Sequence, residues 1–203
     1  MQTLVSPERE SGAPEVRLSP RFDAALAWAS ELHRGQLRKV DPVPYVSHVL
    51  SVAALVLEHG GDEEEAIAAL LHDAAEDCGG RATHAEILAR FGPRVAAIVD
   101  GCTDSYDTPK PAWRPRKERY LERLREAGPS VRLVAAADKL HNVRSVLAGH
   151  RREGDRVWSR FAAPREDTLW YYRTVTDTLR GAEPSALVEE LDRVVSELER
   201  RSP

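Results

Sequence analysis

The sequence predicts an all-α fold, a single-domain bundle of eight to ten helices. Three observations lead there. Apolar residues recur at helical spacing, as in Phe22, Ala25, Leu26, Ala29 and Leu32. Capping residues and Gly or Pro stops punctuate the chain at helix-length intervals. No stretch alternates convincingly with period two, and no repeat of solenoid period is present. With 203 residues, 42% hydrophobic and 31% charged, the chain can bury a sizeable core.

Residues 1–18 are polar and without periodicity, and are expected to form a mobile tail; residues 19–203 are expected to form the domain. Ser19-Pro20 reads as an N-cap followed by proline at the first helical position, opening a helix to about His33. A proline-rich loop, Asp41-Pro42-Val43-Pro44, leads to a second helix from Val46 to about His59, stopped by Gly60-Gly61. Asp62 with Glu65 forms a capping-box signal for the helix that runs into His72 and Asp73. Thr83 with Glu86 repeats that signal, and Phe91-Gly92-Pro93 closes the short helix it opens. Another helix begins at Val95 and ends near Asp100-Gly101. Residues 104–116 read as a loop around Trp113, and a charged helix follows from about Pro115 to Glu126. Past Gly128-Pro129, Ser130 is a candidate cap for the apolar run Val131 to Ala137. Residues 149–164 read as irregular, and two packing helices close the chain at about 165–180 and 185–200.

The net charge of −4 argues against a general nucleic-acid binder. No apolar run reaches membrane-span length, and no basic-then-apolar leader opens the chain. Cys78 and Cys102 make no motif spacing, so reduced thiols in a cytoplasmic protein are expected. The charged helices offer no continuous hydrophobic seam, which leaves the oligomeric state open.

The chemistry concentrates in Leu70-Leu71-His72-Asp73-Ala74-Ala75-Glu76-Asp77. On a continuous helix, His72 and Glu76 share one stripe and Asp73 and Asp77 the next, a patch roughly 100° wide. Three carboxylates and an imidazole at the end of an apolar helix need a cation, and a divalent metal supplies it most simply. His48, inside the apolar helix 45–50, is one candidate partner; alone it would read as a hydrogen-bonded core histidine. Asp138, closing the run Ala135-Ala136-Ala137, is another; alone it could pair with Lys139 or Arg144. Asn142 lies four residues on, over the same face. Two imidazoles and two carboxylates suit Mn²⁺, Fe²⁺ or Zn²⁺ and not the softer metals.

His48, His72-Asp73 and Asp138, in that order and spacing, resemble the HD superfamily of metal-dependent phosphohydrolases. The flanks narrow the likeness. His33-Arg34-Gly35-Gln36-Leu37-Arg38-Lys39, Pro44-Tyr45-x-x-His48, His72-Asp73-Ala74-Ala75-Glu76-Asp77 and Ala137-Asp138-Lys139-Leu140-His141-Asn142-Val143-Arg144 are similar to the hydrolase domain of RelA/SpoT-type enzymes. With no synthetase or regulatory portion, the chain resembles the small alarmone hydrolases over about residues 20–150. The resemblance implies an HD-type bundle with one divalent ion, Mn²⁺ by analogy, on His48, His72, Asp73 and Asp138. It implies that Glu76 and Asp77 position a water and shuttle its proton. It implies that Arg38 and Lys39, otherwise a solvated loop, hold pyrophosphate oxygens, and that Asn142 contacts substrate or supports Asp138. The implied reaction removes the 3′-pyrophosphate of guanosine tetra- or pentaphosphate. Adenosine alarmones, the 2′-phosphate of NADPH and nucleotide monophosphates remain alternatives, as does a non-catalytic nucleotide sensor.

Cys78 stands where that family often has threonine, and the segment Asp104 to Lys117 is less typical of it. There Lys110, Arg114, Arg116, Lys117 and Arg119 surround Trp113. One reading is a cluster that closes over an anionic substrate, with the Trp113 indole stacking on a base or lining the entrance. The favoured, blander reading is a charged surface balanced by Glu118, Glu122 and Glu126, with at least one of the basic residues expected near the pocket. Trp170-Tyr171-Tyr172 is expected to anchor packing, and His33 and His141 to support the site without binding metal.

Overall fold

The computed structural model describes residues 16–107, 109–182 and 184–202. Most of the expected tail, residues 1–15, lies outside the described residues. Ser19 caps α1 (Pro20–Leu32), its hydroxyl accepting from the Arg21 amide at 3.2 Å. Residues 33–45 then fold back on themselves, with Arg38 N–H on the Val43 carbonyl at 3.0 Å and Tyr45 N–H on the Gln36 carbonyl at 2.9 Å. An isolated bridge between Leu37 and Pro44 completes that turn, and no strand forms among the described residues.

After α2 (Val46–Glu58), the predicted capping box opens α3 (Glu63–Leu71): Asp62 accepts from Glu65 N–H at 3.0 Å, and Glu65 accepts from Asp62 N–H at 2.8 Å. Ala66 to Leu71 are all fully buried, because α3 beyond Glu65 is apolar on every side and is enclosed by α1, α2, the fifth helix and the seventh. Burying Ile67, Leu70 and Leu71 stabilises the fold by about 1.5–3 kcal/mol each.

One prediction fails here with consequence. The helix does not continue through His72 and Asp73; it stops at Leu71, and a separate turn, α4 (Ala74–Asp77), follows. Asp73 drifts to φ −96° and ψ −8°, the bridge region, so the four polar residues do not lie on two neighbouring stripes of one rod. Gly79 and Gly80, at φ 137° and 62°, then reverse the chain into α5 (Gly80–Cys102). Thr83 is therefore inside α5 and caps nothing; its hydroxyl donates to the Cys78 carbonyl at 2.9 Å. Gly92, at φ 86° and ψ 174° before Pro93, is non-helical and divides α5 into two helical stretches at the boundary the sequence placed there.

The charged helix α6 (Trp113–Glu126) starts slightly earlier than expected, taking Trp113 out of the loop. In α7 (Pro129–Glu153), Gly128 is the cap and proline the first helical residue, so Ser130 has no capping role. Residues 149–164 are more ordered than their polarity suggested. The helix α7 runs on to Glu153, and a 3₁₀ turn over Gly154–Arg160 buries Val157 and Trp158. The closing helices are α8 (Arg165–Ala182) and α9 (Ala186–Arg201), the latter capped by Ser185. The second long axis of the fold is α7, packed on α2, α5, α8 and α9, and it places Asp138 beside the end of α3. No described helix is long and apolar enough to cross a membrane.

Candidate metal and phosphate site

Three helices deliver the central cluster: α2 brings His48, the end of α3 brings His72 and Asp73, and α7 brings Asp138. Donor atoms of His48, His72 and Asp138 lie within 4.8 Å of one another, and all three residues are buried. Asp73 joins them through Oδ2, 3.0 Å from His72 Nε2 and 3.4 Å from His48 Nε2. Asp138 Oδ1 lies 3.2 Å from His48 Nε2 and 3.6 Å from His72 Nε2.

Hydrogen bonding tests whether this set fits a metal. His72 Nδ1–H donates to the Ala69 carbonyl at 2.8 Å, which leaves the Nε2 lone pair facing two carboxylates. Nε2 of both His48 and His72 is enclosed and has no hydrogen-bond partner. Buried lone pairs facing carboxylate oxygens repel unless a cation stands between them. The donor set, two imidazoles and two carboxylates, suits a borderline divalent ion. Without a metal, a proton serves: burial disfavours it, but Asp73 and Asp138 hold His72 well above its usual range. Burial likewise opposes ionisation of Asp138, which Lys139 and the two histidines hold well below the usual carboxylate range.

Each acidic residue is fixed from behind. Tyr45 OH donates to Asp73 Oδ2 at 2.5 Å. Asn142 Nδ2 donates to Asp138 Oδ1 at 2.5 Å, and Lys139 bonds the other oxygen of Asp138. Asn142 also accepts from Arg38 Nη2 at 2.9 Å, linking the α1–α2 turn to α7. His141 meets His48 with their Nδ1 atoms 2.8 Å apart; burial, His48 and Arg38 push His141 down to about pH 4, so it is neutral at pH 7.

The cluster forms the floor of a cavity of about 460 Å³. Asp73, Glu76, Asp77, Asp138, Arg38, Lys39 and Asn142 all line it, so the predicted site residues converge, with His48 and His72 beneath them. Glu76 and Asp77 share Lys110, whose Nζ lies 2.7 Å from Glu76 Oε1 and 3.4 Å from Asp77 Oδ1. Burial, then Asp104 and Asp73, raise the Glu76 carboxyl, with Lys110 opposing. Asp104 N–H donates to Glu76 Oε2 at 3.2 Å, and its carboxylate binds Arg116 and Lys117. Burial works against Asp104, yet Lys117 and Arg116 hold it at about 2. Asp77 is tied by a second chain: His33 Nδ1–H donates to Gln36 Oε1 at 2.7 Å, and Gln36 Nε2 donates to Asp77 Oδ2 at 2.9 Å.

The basic cluster divides. Lys110, Arg116 and Lys117 line the cavity, whereas Arg119 is exposed and Arg114 lies 3.3 Å over the Trp170 ring and pairs with Asp167 and Glu118. The bland surface reading holds only for the last two. Tyr171 and Tyr172 are buried packing residues as expected, but they also wall the cavity. Sequence reasoning gave no role to Gln36, Tyr45 or Asp104, and named Lys139 only as a possible partner of Asp138, which it is. Gln36, Tyr45 and Lys139 sit inside the quoted motifs, which was the available signal; Asp104 had none.

The HD domain family matches residues 25–169. The chain belongs to the HD domain family. A guanosine-3′,5′-bis(diphosphate) 3′-pyrophosphohydrolase of Xenopus tropicalis is 39% identical to this HD protein over 133 residues, 61% of this chain and 71% of that one. A protein of the same description from Aquifex aeolicus is 38% identical over 122 residues, 60% of this chain and 17% of its own length. Among solved structures, a metazoan orthologue of SpoT described as hydrolysing ppGpp superposes with a TM-score of 0.74 at 28% identity, covering 91% of this chain and 98% of that one. HD membership together with the enclosed His48–His72–Asp138 cluster implies a divalent metal ion.

Proposed function

We propose that this HD protein is a metal-dependent phosphohydrolase that removes the 3′-pyrophosphate of guanosine tetra- or pentaphosphate, giving GDP or GTP and pyrophosphate. The observation that carries the reading is the pair of enclosed, unpartnered imidazole nitrogens facing Asp73 and Asp138 at the floor of a cavity lined by cations. The three relatives, described by that same activity, support the choice of substrate.

His48, His72, Asp73 and Asp138 would hold the ion, which we take to be Mn²⁺, with Fe²⁺ and Zn²⁺ as the other fits. When bound, such an ion lowers the pKa of water and polarises a phosphoryl oxygen. The remaining work belongs to the chain. Glu76 and Asp77 orient the attacking water, and Glu76, its carboxyl raised by burial and Asp104, takes the proton at a carboxylate oxygen. Lys110 keeps the two carboxylates side by side. Arg38 offers a planar fork to the pyrophosphate oxygens and Lys39 a point charge. Asn142 keeps Asp138 and Arg38 in register across the cavity. A sensor without catalysis has no use for a proton-accepting pair beside the metal floor, which weighs against that alternative. The free thiols of Cys78 and Cys102 suit a cytoplasmic enzyme.

A substrate panel tests the assignment. With saturating Mn²⁺, kcat/KM for guanosine tetraphosphate should exceed that for ppApp, NADPH and GMP by about tenfold or more. Equal or greater activity on NADPH or an adenosine alarmone would replace the substrate while leaving the chemistry intact.

A further inference from the structure

We infer that His141 is a positioning residue that selects the tautomer of His48 and so turns the His48 Nε2 lone pair toward the metal. The inference rests on the metal reading above and deepens it. His48 is fully enclosed, and its Nδ1 meets Nδ1 of His141 at 2.8 Å. Two nitrogens at that distance share one proton, so one ring donates and the other accepts.

The two arrangements have opposite consequences for the cluster. If His48 Nδ1–H donates, His48 Nε2 carries the lone pair and faces Asp73 and Asp138 as a ligand. The His141 proton then sits on its own Nε2, on a half-buried ring. If His141 Nδ1–H donates, a neutral His48 must carry its proton on Nε2. That N–H would lie 3.2 Å from Asp138 Oδ1 and 3.4 Å from Asp73 Oδ2, off the line a hydrogen bond requires. It would also occupy the position the metal needs. The first arrangement satisfies every buried group once the cation is present, and the second leaves an N–H without a partner.

Other parts of the molecule bear on the same ring without supplying an alternative acceptor. Tyr45 packs edge-on at 5.3 Å and spends its hydroxyl on Asp73. His72 packs edge-on at 5.1 Å and spends Nδ1 on Ala69. His141 is the partner the structure gives to His48 Nδ1.

Replacement by two residues of one shape isolates the acceptor. His141→Asn keeps an oxygen near the position of Nδ1, whereas His141→Leu puts a methyl group there. Apparent Mn²⁺ affinity, read by competition with a chromophoric chelator, should fall about 10- to 100-fold in His141→Leu and stay within about threefold of wild type in His141→Asn. Equal affinity in both variants overturns the role of His141. Nitrogen-15 spectra of the wild type loaded with diamagnetic Zn²⁺ give an independent reading that needs no variant to fold. His48 should show a protonated Nδ1 and an unprotonated Nε2, and the reverse pattern overturns the inference. The metal reading fails separately, and visibly, if wild type binds no divalent ion and His72→Ala behaves identically.

Discussion

Replacing Asp104 by asparagine separates two things the α5–α6 loop does: it stabilises the fold and it sets the ionisation of Glu76. The Asp104 side chain is 4% exposed and held between Arg116 and Lys117. Its pKa falls from 3.8 to about 2, the two cations outweighing burial. Nearly two units at 1.36 kcal/mol per unit comes to about 2 kcal/mol of folded-state stability. Because the folded pKa lies below the unfolded one, that contribution is fully present above pH 3.8 and is lost as pH falls through about 2. Asp104→Asn should therefore cost about 2 kcal/mol in urea denaturation at pH 7 and visibly less at pH 3. In the same variant Glu76 loses a like-charged neighbour, and Arg116, 3.9 Å from Glu76 in the wild-type structure and then without a competing carboxylate, favours ionised Glu76 further. The acidic limb of the kcat/KM profile should move to lower pH. A limb that stays put or moves up, with a stability loss equal at both pH values, would refute this account of the loop.

Glu76→Gln should lower kcat by about 10²- to 10⁴-fold with Mn²⁺ affinity nearly unchanged, measured by steady-state kinetics and chelator competition; an unchanged kcat removes Glu76 from proton transfer. Mn²⁺ at about 100 times its Kd should add about 2.7 kcal/mol to stability and raise Tm, and His72→Ala should show no such rise in the same melts. Gly149→Ala would put a methyl group 2.6 Å from Val40 Cγ1 and 3.0 Å from Val157 Cγ2. Overpacking of that kind costs about 1–3 kcal/mol, readable as a lower Tm. Because Val40 also lines the cavity, KM should rise more than kcat falls.

The local grammar of the chain was legible where one short-range interaction decides the outcome. Ser19-Pro20 and the Asp62–Glu65 box both open helices as written, since each satisfies its own amides within one turn. The Thr83–Glu86 signal failed because the Gly79–Gly80 reversal starts α5 earlier, and Ser130 failed because Pro129 already occupies the first helical position. The break at His72-Asp73 was hidden in an alanine-rich run whose propensity is helical throughout. At the break, Asp73 and His72 meet His48, Tyr45 and Asp138, partners that no local pattern in the run reports. The 3₁₀ turn was hidden likewise, since Val157 and Trp158 are isolated apolar residues in a polar stretch.

The candidate site shows the same division. His48, His72, Asp73 and Asp138 were legible together through the order and spacing they share with the HD superfamily; taken singly, His48 also reads as a core histidine and Asp138 as an ion-paired acid. The groups that hold the acids come from far along the chain: Tyr45 to Asp73 spans 28 residues, Lys110 to Glu76 spans 34 and Gln36 to Asp77 spans 41. No local pattern reports such pairs. The basic stretch around Trp113 divided for a comparable reason, with Arg116 and Lys117 turned inward by Asp104 and Arg114 turned outward by Trp170 and Asp167.

The central claim is tested most directly by incubating wild type and Asp73→Ala with Mn²⁺ and guanosine tetraphosphate and following GDP and pyrophosphate. The account predicts release by wild type that stops when a chelator is added, and no release by Asp73→Ala. Intact substrate after incubation with Mn²⁺-loaded wild type would contradict the substrate assignment, and equal release by Asp73→Ala would contradict the metal site.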